Sequence, residues 1–219
     1  MDFDGWLVTG IKRELSIKET NYRIVRRRAI WLIGRWSGVK LSPEKRPLIY
    51  ELLLPALQAD LEPDLVVRLT AAKSLKIVID DFEFCAEEVR PHLTVIFQSL
   101  FQLLQEVEEC DTKVKKYSGN SGLQRYPPQN LQTIQPHSIL ICKYYLFFQL
   151  TVLNVLSYLI ERVSVGIRDI CQGLVHYLPH LWEASSDHEM LRCSILTTLI
   201  VIVQSLGTAS ESITDFVFR

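Results

Sequence analysis

The sequence predicts an all-α fold, a solenoid of stacked helix pairs, and three observations support it. Apolar residues recur at helical spacing along most of the chain, which is 48% apolar. The clearest part, 62–107, holds two amphipathic helices that are joined by the short acidic corner 80–83. Such a pair cannot bury both of its apolar faces alone, so neighbouring pairs must cover them.

Local signals place each helix along the chain. Ser42 is a preferred capping residue, and Pro43 after it suits the first turn of a helix. Asp64 puts negative charge where the helix dipole is positive, and Gly207 ends the last long apolar segment. We expect helices at 5–15, 21–38, 43–59, 62–79, 85–107, 150–163, 166–182 and 189–206, with a further one starting at 210.

Basic residues near helix starts set a repeating register. Arg26, Arg68 and Arg192 are each followed by apolar or small residues three, four and seven positions later, and we assign them, with Asp64, a structural role in the repeat. The step from Arg26 to Arg68 is 42 residues, within the roughly 40–47-residue period of HEAT and armadillo repeats. The sequence therefore predicts a HEAT/armadillo-like α-solenoid of about four helix pairs. Because neither end carries a polar cap, we expect it to be incomplete at both ends.

Segment 114–149 does not fit this register. Its first half is rich in Gly, Ser, Asn, Gln and Pro and has no apolar period, which is typical of a loop. When these 36 residues are left out, Lys113 precedes Leu150, and the steps between basic residues become 42, 45 and 43. We therefore interpret 1–219 as a single solenoid domain in which 114–149 is an insertion into one helix, irregular up to about Gln135.

The origin of the insertion is suggested by its two ends. Valine codons begin with GT, as a splice donor does, and 144–149 (YYLFFQ) can be encoded by a pyrimidine-rich stretch that ends in CAG. We interpret 114–149 as translated intron. A long structural loop is one alternative. A membrane helix over the apolar run 139–160 is another, but Lys143 and Asn154 lie within that run, so we expect no stable membrane insertion.

Composition and motifs give no sign of catalysis. The net charge of −1 provides no general attraction for nucleic acid, and Arg26-Arg27-Arg28 is the only basic run. The chain contains no phosphate-binding, dinucleotide-binding or nucleophile-elbow motif. His176 and His180 have a zinc-compatible spacing, but Pro179 lies between them and no third ligand is evident. We expect no enzyme activity, no cofactor and no metal.

One acidic group is a candidate partner-binding site. Its members are Glu106, Glu108, Glu109 and Asp111. Four carboxylates so close together can attract a basic partner, and a solvated helix end is the alternative interpretation.

The chain resembles the importin-beta (karyopherin) superfamily of Ran-binding nuclear transport receptors, and in particular the middle of such a receptor. The resemblance covers nearly all of the chain except 114–149 and the last few residues. The strings that carry it agree in order: RRRAIWLIGRW, LVVRLTAAKSLKIVIDDFEF, FQLLQEVEECDTK, VLSYLIERV and YLPHLWEASSDHEMLRCSILTTL.

This resemblance implies both a fold and a function. Receptors of the superfamily are superhelices of HEAT repeats that carry protein cargo through nuclear pores, contact pore proteins and release cargo on binding Ran-GTP. We therefore expect shuttling between nucleus and cytoplasm, with transient presence at the nuclear envelope. The family's main Ran contacts lie in N-terminal repeats outside this chain. We expect the second helices, 43–59, 85–107 and 166–182, to line the concave side. A HEAT scaffold of a regulatory complex unrelated to transport is the alternative.

Sequencing of spliced messenger RNA across the Lys113 codon tests the interpretation of 114–149. We expect most reads to join the codon of Lys113 directly to that of Leu150, with GT and AG at the boundaries in genomic DNA. Abundant reads that carry all 36 codons, together with genomic DNA lacking those boundaries, would exclude a retained intron.

Overall fold

A computed structural model describes residues 2–120, 135–163, 166–167, 169–207 and 210, with side chains for all of these except 40, 112–120 and 135–143. No strand occurs in this part of the chain. Its α-helices are α1 (Phe3–Trp6), α2 (Lys12–Ser16), α3 (Arg23–Lys40), α4 (Arg46–Leu57), α5 (Leu65–Ile79), α6 (Ala86–Val89), α7 (Leu93–Asn120), α8 (Gln135–Val163), α9 (Gln172–Ala184) and α10 (Glu189–Leu206).

Short helical turns connect several of these helices. A π-turn, Leu7–Ile11, joins α1 to α2, so that the two make one nearly continuous helix. Single 3-10 turns lead into α3, α4 and α7. At the end of α10, Gly207 adopts a φ of +54°, which favours glycine, and this helix ends where the sequence predicted.

The helices form two layers. The first contains α3, α5, α8 and α10, stacked on one another in chain order, and the second contains α1–α2, α4, α7 and α9. The two layers share one continuous core of buried aliphatic side chains. This arrangement confirms the predicted all-α, HEAT-like solenoid of four helix pairs. The helix pairs differ from the expected ones. Of its second-layer neighbours, each first-layer helix packs most extensively on the one that precedes it in the chain, for example α5 on α4 and not on α7.

Helices of the first layer approach each other closely because small residues lie between them. A Cβ atom at Gly34 of α3 would lie only 2.9 Å from the Cα atom of Ser74 on α5. The Ser74 hydroxyl donates a 2.9 Å hydrogen bond to the Ile30 carbonyl of α3. Between α8 and α10, the hydroxyls of Ser157 and Thr198 are also 2.9 Å apart. Such contacts are made only where helix axes are near one another.

Helices of the second layer meet through large rings instead. Tyr50 of α4 contacts His92, with ring centroids 6.1 Å apart, and Phe101 of α7 meets Tyr177 of α9 edge to face at 5.3 Å. In a curved two-layer stack, the layer with the closer helices lies on the inside. The packing therefore favours α3, α5, α8 and α10, which we call the inner layer, as the concave side, in place of the expected 43–59, 85–107 and 166–182.

Two helices in the described part of the chain are apolar and long enough to cross a membrane by composition and length alone, Tyr144–Val163 within α8 and Glu189–Leu206. In the structure, α8 packs between α5 and α10 and also against α7, so most sides of this helix contact protein. Burial in the middle of the stack accounts for its apolar sequence.

The region of the predicted insertion differs in part from expectation. Helix α7 continues through Asn120, so residues 114–120 are helical and not irregular. Residues 108–113 belong to this second-layer helix, whereas we expected them to form the start of a first-layer helix. Residues 106–116 contain several glutamates and lysines and no proline, a composition that favours helix. Helix α8 begins at Gln135, the residue up to which we expected irregular structure, and so includes 135–149 as well as the expected helix 150–163. Residues 121–134 lie outside the described residues.

Candidate functional site

A buried ion pair connects the first two inner helices. The Arg26 side chain of α3 is 3% exposed and that of Glu62, which precedes α5, is fully buried. Arg26 donates from Nε to Glu62 Oε2 at 2.8 Å and from Nη2 to Oε1 at 3.1 Å. Its Nη1 donates to the carbonyls of Ile17 and Glu19, both at 2.9 Å. Because the guanidinium and the carboxylate face each other in a fork, the pair is well matched despite its burial.

A second pair repeats this arrangement one repeat later. Arg68 of α5 pairs with Glu106 of α7, and its Nη1 donates to Glu106 Oε1 at 3.1 Å. The arginine side chain is 5% exposed. Arg68 and Glu106 are 38 residues apart, and Arg26 and Glu62 are 36 apart. We call these two pairs the rungs, since each joins an inner helix to the region that precedes the next one.

Asp64 and Arg192 complete the residues that the sequence marked as structural. Asp64 caps α5, because its carboxylate accepts from the backbone amides of Val66 and Val67 at 3.0 Å. The Arg192 guanidinium of α10 lies over the Trp182 ring, 4.6 Å from its centroid. Its buried Nε has no hydrogen-bond partner among the described residues. The side chain of Lys113, in the same register, lies outside the described residues.

Two members of the predicted acidic group on α7 hold helices together. Glu106 belongs to the second rung, and Glu108 accepts a hydrogen bond from the Tyr177 hydroxyl of α9 and lies 3.1 Å from His180 Nε2. Burial, and then the bond to Glu108, raises the pKa of Tyr177 above its usual range, so this hydroxyl stays protonated as a donor.

The remaining two members of that group differ in exposure. Asp111 is buried and Glu109 is exposed. Sequence reasoning treated the four carboxylates as one surface and missed the contacts of Glu106 and Glu108. The spacing of Glu106 from Arg68, which is close to that of Glu62 from Arg26, is the signal that could have shown the rung.

A basic and aromatic surface crosses the inner layer. The Arg28 and Arg35 guanidiniums lie 4.6 and 5.8 Å from the centroid of the Trp31 ring, which is 38% exposed. On α5, the Lys73 ammonium lies 4.5 Å from the centroid of the Phe147 ring of α8. Burial, and then the charge of Arg27, lowers the pKa of Lys73. This surface was not predicted from the sequence, because its basic and aromatic side chains come from three different helices.

Among the described residues, no group of three His, Cys, Asp or Glu side chains is arranged to hold a metal ion. His180 instead contacts Glu108, and His176 is exposed on α9.

Comparison with known proteins gives consistent relatives. The chain is 42% identical over 216 residues to importin-11 of Mus musculus and 41% identical to importin-11 of Homo sapiens, in both cases over 99% of this chain. It is 27% identical to the importin beta-like protein KAP120 of Saccharomyces cerevisiae over 96% of this chain. It spans 18% of the length of each relative. No family model and no solved structure matches.

Removal of one partner of the first rung should be strongly destabilising. Glu62→Ala leaves the Arg26 charge buried without its carboxylate, which costs about 3–5 kcal/mol. Glu51→Ala, on the exposed side of α4, is the matched control and should change stability by no more than about 0.5 kcal/mol. Urea unfolding followed by circular dichroism measures both. Equal stability of the two variants would show that the rung does not support the fold.

Proposed function

We propose that this chain, which belongs to the importin-beta family and corresponds to one segment of its relatives, is part of a nuclear import receptor. In this proposal, the receptor binds protein cargo on a curved helical-repeat surface. The observation that carries this proposal is the 41–42% identity to two importin-11 proteins over 99% of the chain. The two-layer stack supports it, because such stacks offer long concave surfaces to a partner. The names of the relatives and the absence of catalytic motifs from the sequence favour a receptor over an enzyme.

Several functions are proposed for the full-length protein only, because this chain spans 18% of its relatives' length. They are release of cargo on binding Ran-GTP, contact with nuclear pore proteins, and shuttling between nucleus and cytoplasm with transient presence at the nuclear envelope. The main Ran site is proposed to lie outside this chain.

The packing supports a mechanism in which binding is spread over several repeats. Each inner helix contacts mainly its immediate neighbours, so small adjustments between repeats add up to a change of curvature. The rungs limit these adjustments, because a bidentate pair tolerates little displacement. In this proposal, a partner that favours one curvature and an effector that favours another compete through the stack.

The acidic group on α7 retains a proposed role through its exposed member. The Glu109 side chain is exposed on α7, whereas that of Asp111 is buried. We propose that Glu109 contributes to a site for a basic partner on the outer layer. Glu109→Lys, compared with wild type in the capture experiment below, should reduce recovery of basic partners and leave others unchanged. Unchanged recovery of basic partners would remove Glu109 from the site.

We also propose that 114–149 is an insertion that removes one rung. Without these 36 residues, Asp187 follows Lys113 by 38 positions, the same separation as between Arg68 and Glu106. Asp187 precedes Arg192 by five residues, much as Glu62 precedes Arg68 by six. The shortened chain would therefore form a third rung, Lys113–Asp187, and a regular array.

Capture of cargo from cell extract by the full-length protein, with and without Ran-GTP, tests the transport role. We expect a set of proteins to be bound in the absence of Ran-GTP and released in its presence, as identified by mass spectrometry. Ran-GDP is the control and should release little. A set retained equally in all conditions would favour the second candidate, a HEAT scaffold of a regulatory complex.

A further inference from the structure

Positive charge is concentrated on the first two helices of the inner layer, α3 and α5. Helix α3 contains six arginines and lysines, α5 contains three, and neither helix contains an aspartate or glutamate. The whole chain has a net charge of −1. The first two inner helices therefore carry a local excess of positive charge that the composition of the chain does not reveal.

About half of these basic residues are neutralised within the protein. Arg26 and Arg68 belong to the rungs. Arg23 lies 3.6 Å from an Asp64 oxygen, and Lys76 lies 3.4 Å from Asp80. Within the described part of the chain, four others on these helices form no ion pair: Arg27, Arg28, Arg35 and Lys73.

These four residues form one surface with Trp31, which we call the basic strip. Arg28 and Arg35 stand three residues before and four residues after Trp31, and so share its helix face and contact its ring. Arg27 is near enough to Lys73 for its charge to act on the ammonium across the α3–α5 boundary. Crowded like charges that pair with no carboxylate of the described residues are costly to maintain, and a negatively charged partner would relieve that repulsion.

We propose that the basic strip binds an acidic segment of a partner protein, a proposal that rests on the receptor function and specifies the chemistry of its cargo. Exposed guanidiniums match carboxylates in bidentate geometry, and the Trp31 ring offers an apolar contact between them. Two guanidiniums already lie near the Trp31 ring, which leaves less of this ring for a nucleic-acid base to stack on. The geometry thus favours an acidic polypeptide over a nucleic acid.

Fluorescence anisotropy with defined probes tests the strip on the 219-residue chain. The probes are a labelled 12-residue peptide with eight glutamates and one phenylalanine, the same peptide with glutamine in place of glutamate, and a 12-nucleotide oligouridine. We expect the acidic peptide to bind more tightly than either of the others. Its affinity should fall as salt rises from 50 to 300 mM, because the attraction is electrostatic.

Charge reversal locates the binding site. The double variant Arg27→Glu/Arg35→Glu should weaken binding of the acidic peptide by at least about tenfold. The control is Lys12→Glu/Lys45→Glu, which makes the same change of charge at exposed positions away from the strip and should bind within about twofold of wild type. Circular dichroism verifies that both variants fold. If reversal prevents folding, Arg27→Gln/Arg35→Gln replaces it, with the same expected direction.

Each contrary result has a separate meaning. Equal weakening by the two charge reversals would overturn the strip, and tighter binding of oligouridine than of the acidic peptide would assign it to nucleic acid instead. The receptor function is assessed separately by Ran-GTP-sensitive capture with the full-length protein. Capture that survives reversal of the strip overturns this inference alone, whereas peptide binding without Ran-sensitive capture overturns the receptor function alone.

Discussion

The bidentate bond between Arg26 and Glu62 is the interaction on which the rest of the structure depends. It fixes the start of α3 to the segment that precedes α5, and Arg26 also holds the carbonyls of Ile17 and Glu19. Burying two charges is costly, and only complete hydrogen bonding offsets that cost. The pair therefore accepts one arrangement of neighbouring repeats and opposes others. Arg68 and Glu106 link the next step of the stack less completely, because Glu106 is 33% exposed and the buried Nε of Arg68 has no hydrogen-bond partner among the described residues.

This constraint also shapes the surfaces. The rungs neutralise Arg26 and Arg68. The positive charges of the inner layer that remain unpaired therefore belong to solvent-exposed side chains, among them Arg27, Arg28 and Arg35. Small residues between inner helices bring these groups close together, as Gly34 and Ser74 show. A scaffold that needs tight packing on its inside thus presents a dense row of side chains there. Such a row suits the distributed binding proposed for this segment.

The sequence predicted most of the helices, because apolar periodicity and the basic residues at 26, 68 and 192 repeat along the chain, but Lys113, which has the same register, lies in the second-layer helix α7. It did not show which layer is inside, since that depends on how closely helices approach, and the contact of Gly34 with Ser74 spans 40 residues. Glu62 lies 36 residues from its partner and was taken only as part of a helix start. Glu106 and Glu108 were predicted as surface for the same reason. Pairing over such distances leaves no local pattern, only the repeated separations of 36 and 38 residues between arginine and glutamate.

Thermal unfolding of the chain without 114–149 tests the central claim, that one charged rung joins each repeat to the next. The shortened chain should unfold at a higher temperature than the 219-residue chain, because it regains the Lys113–Asp187 rung. Asp187→Ala should then lower the Tm of the shortened chain by several degrees. In the 219-residue chain, where Asp187 is exposed, the same substitution should have almost no effect. Equal effects in both chains, or a shortened chain that does not fold, would contradict the account.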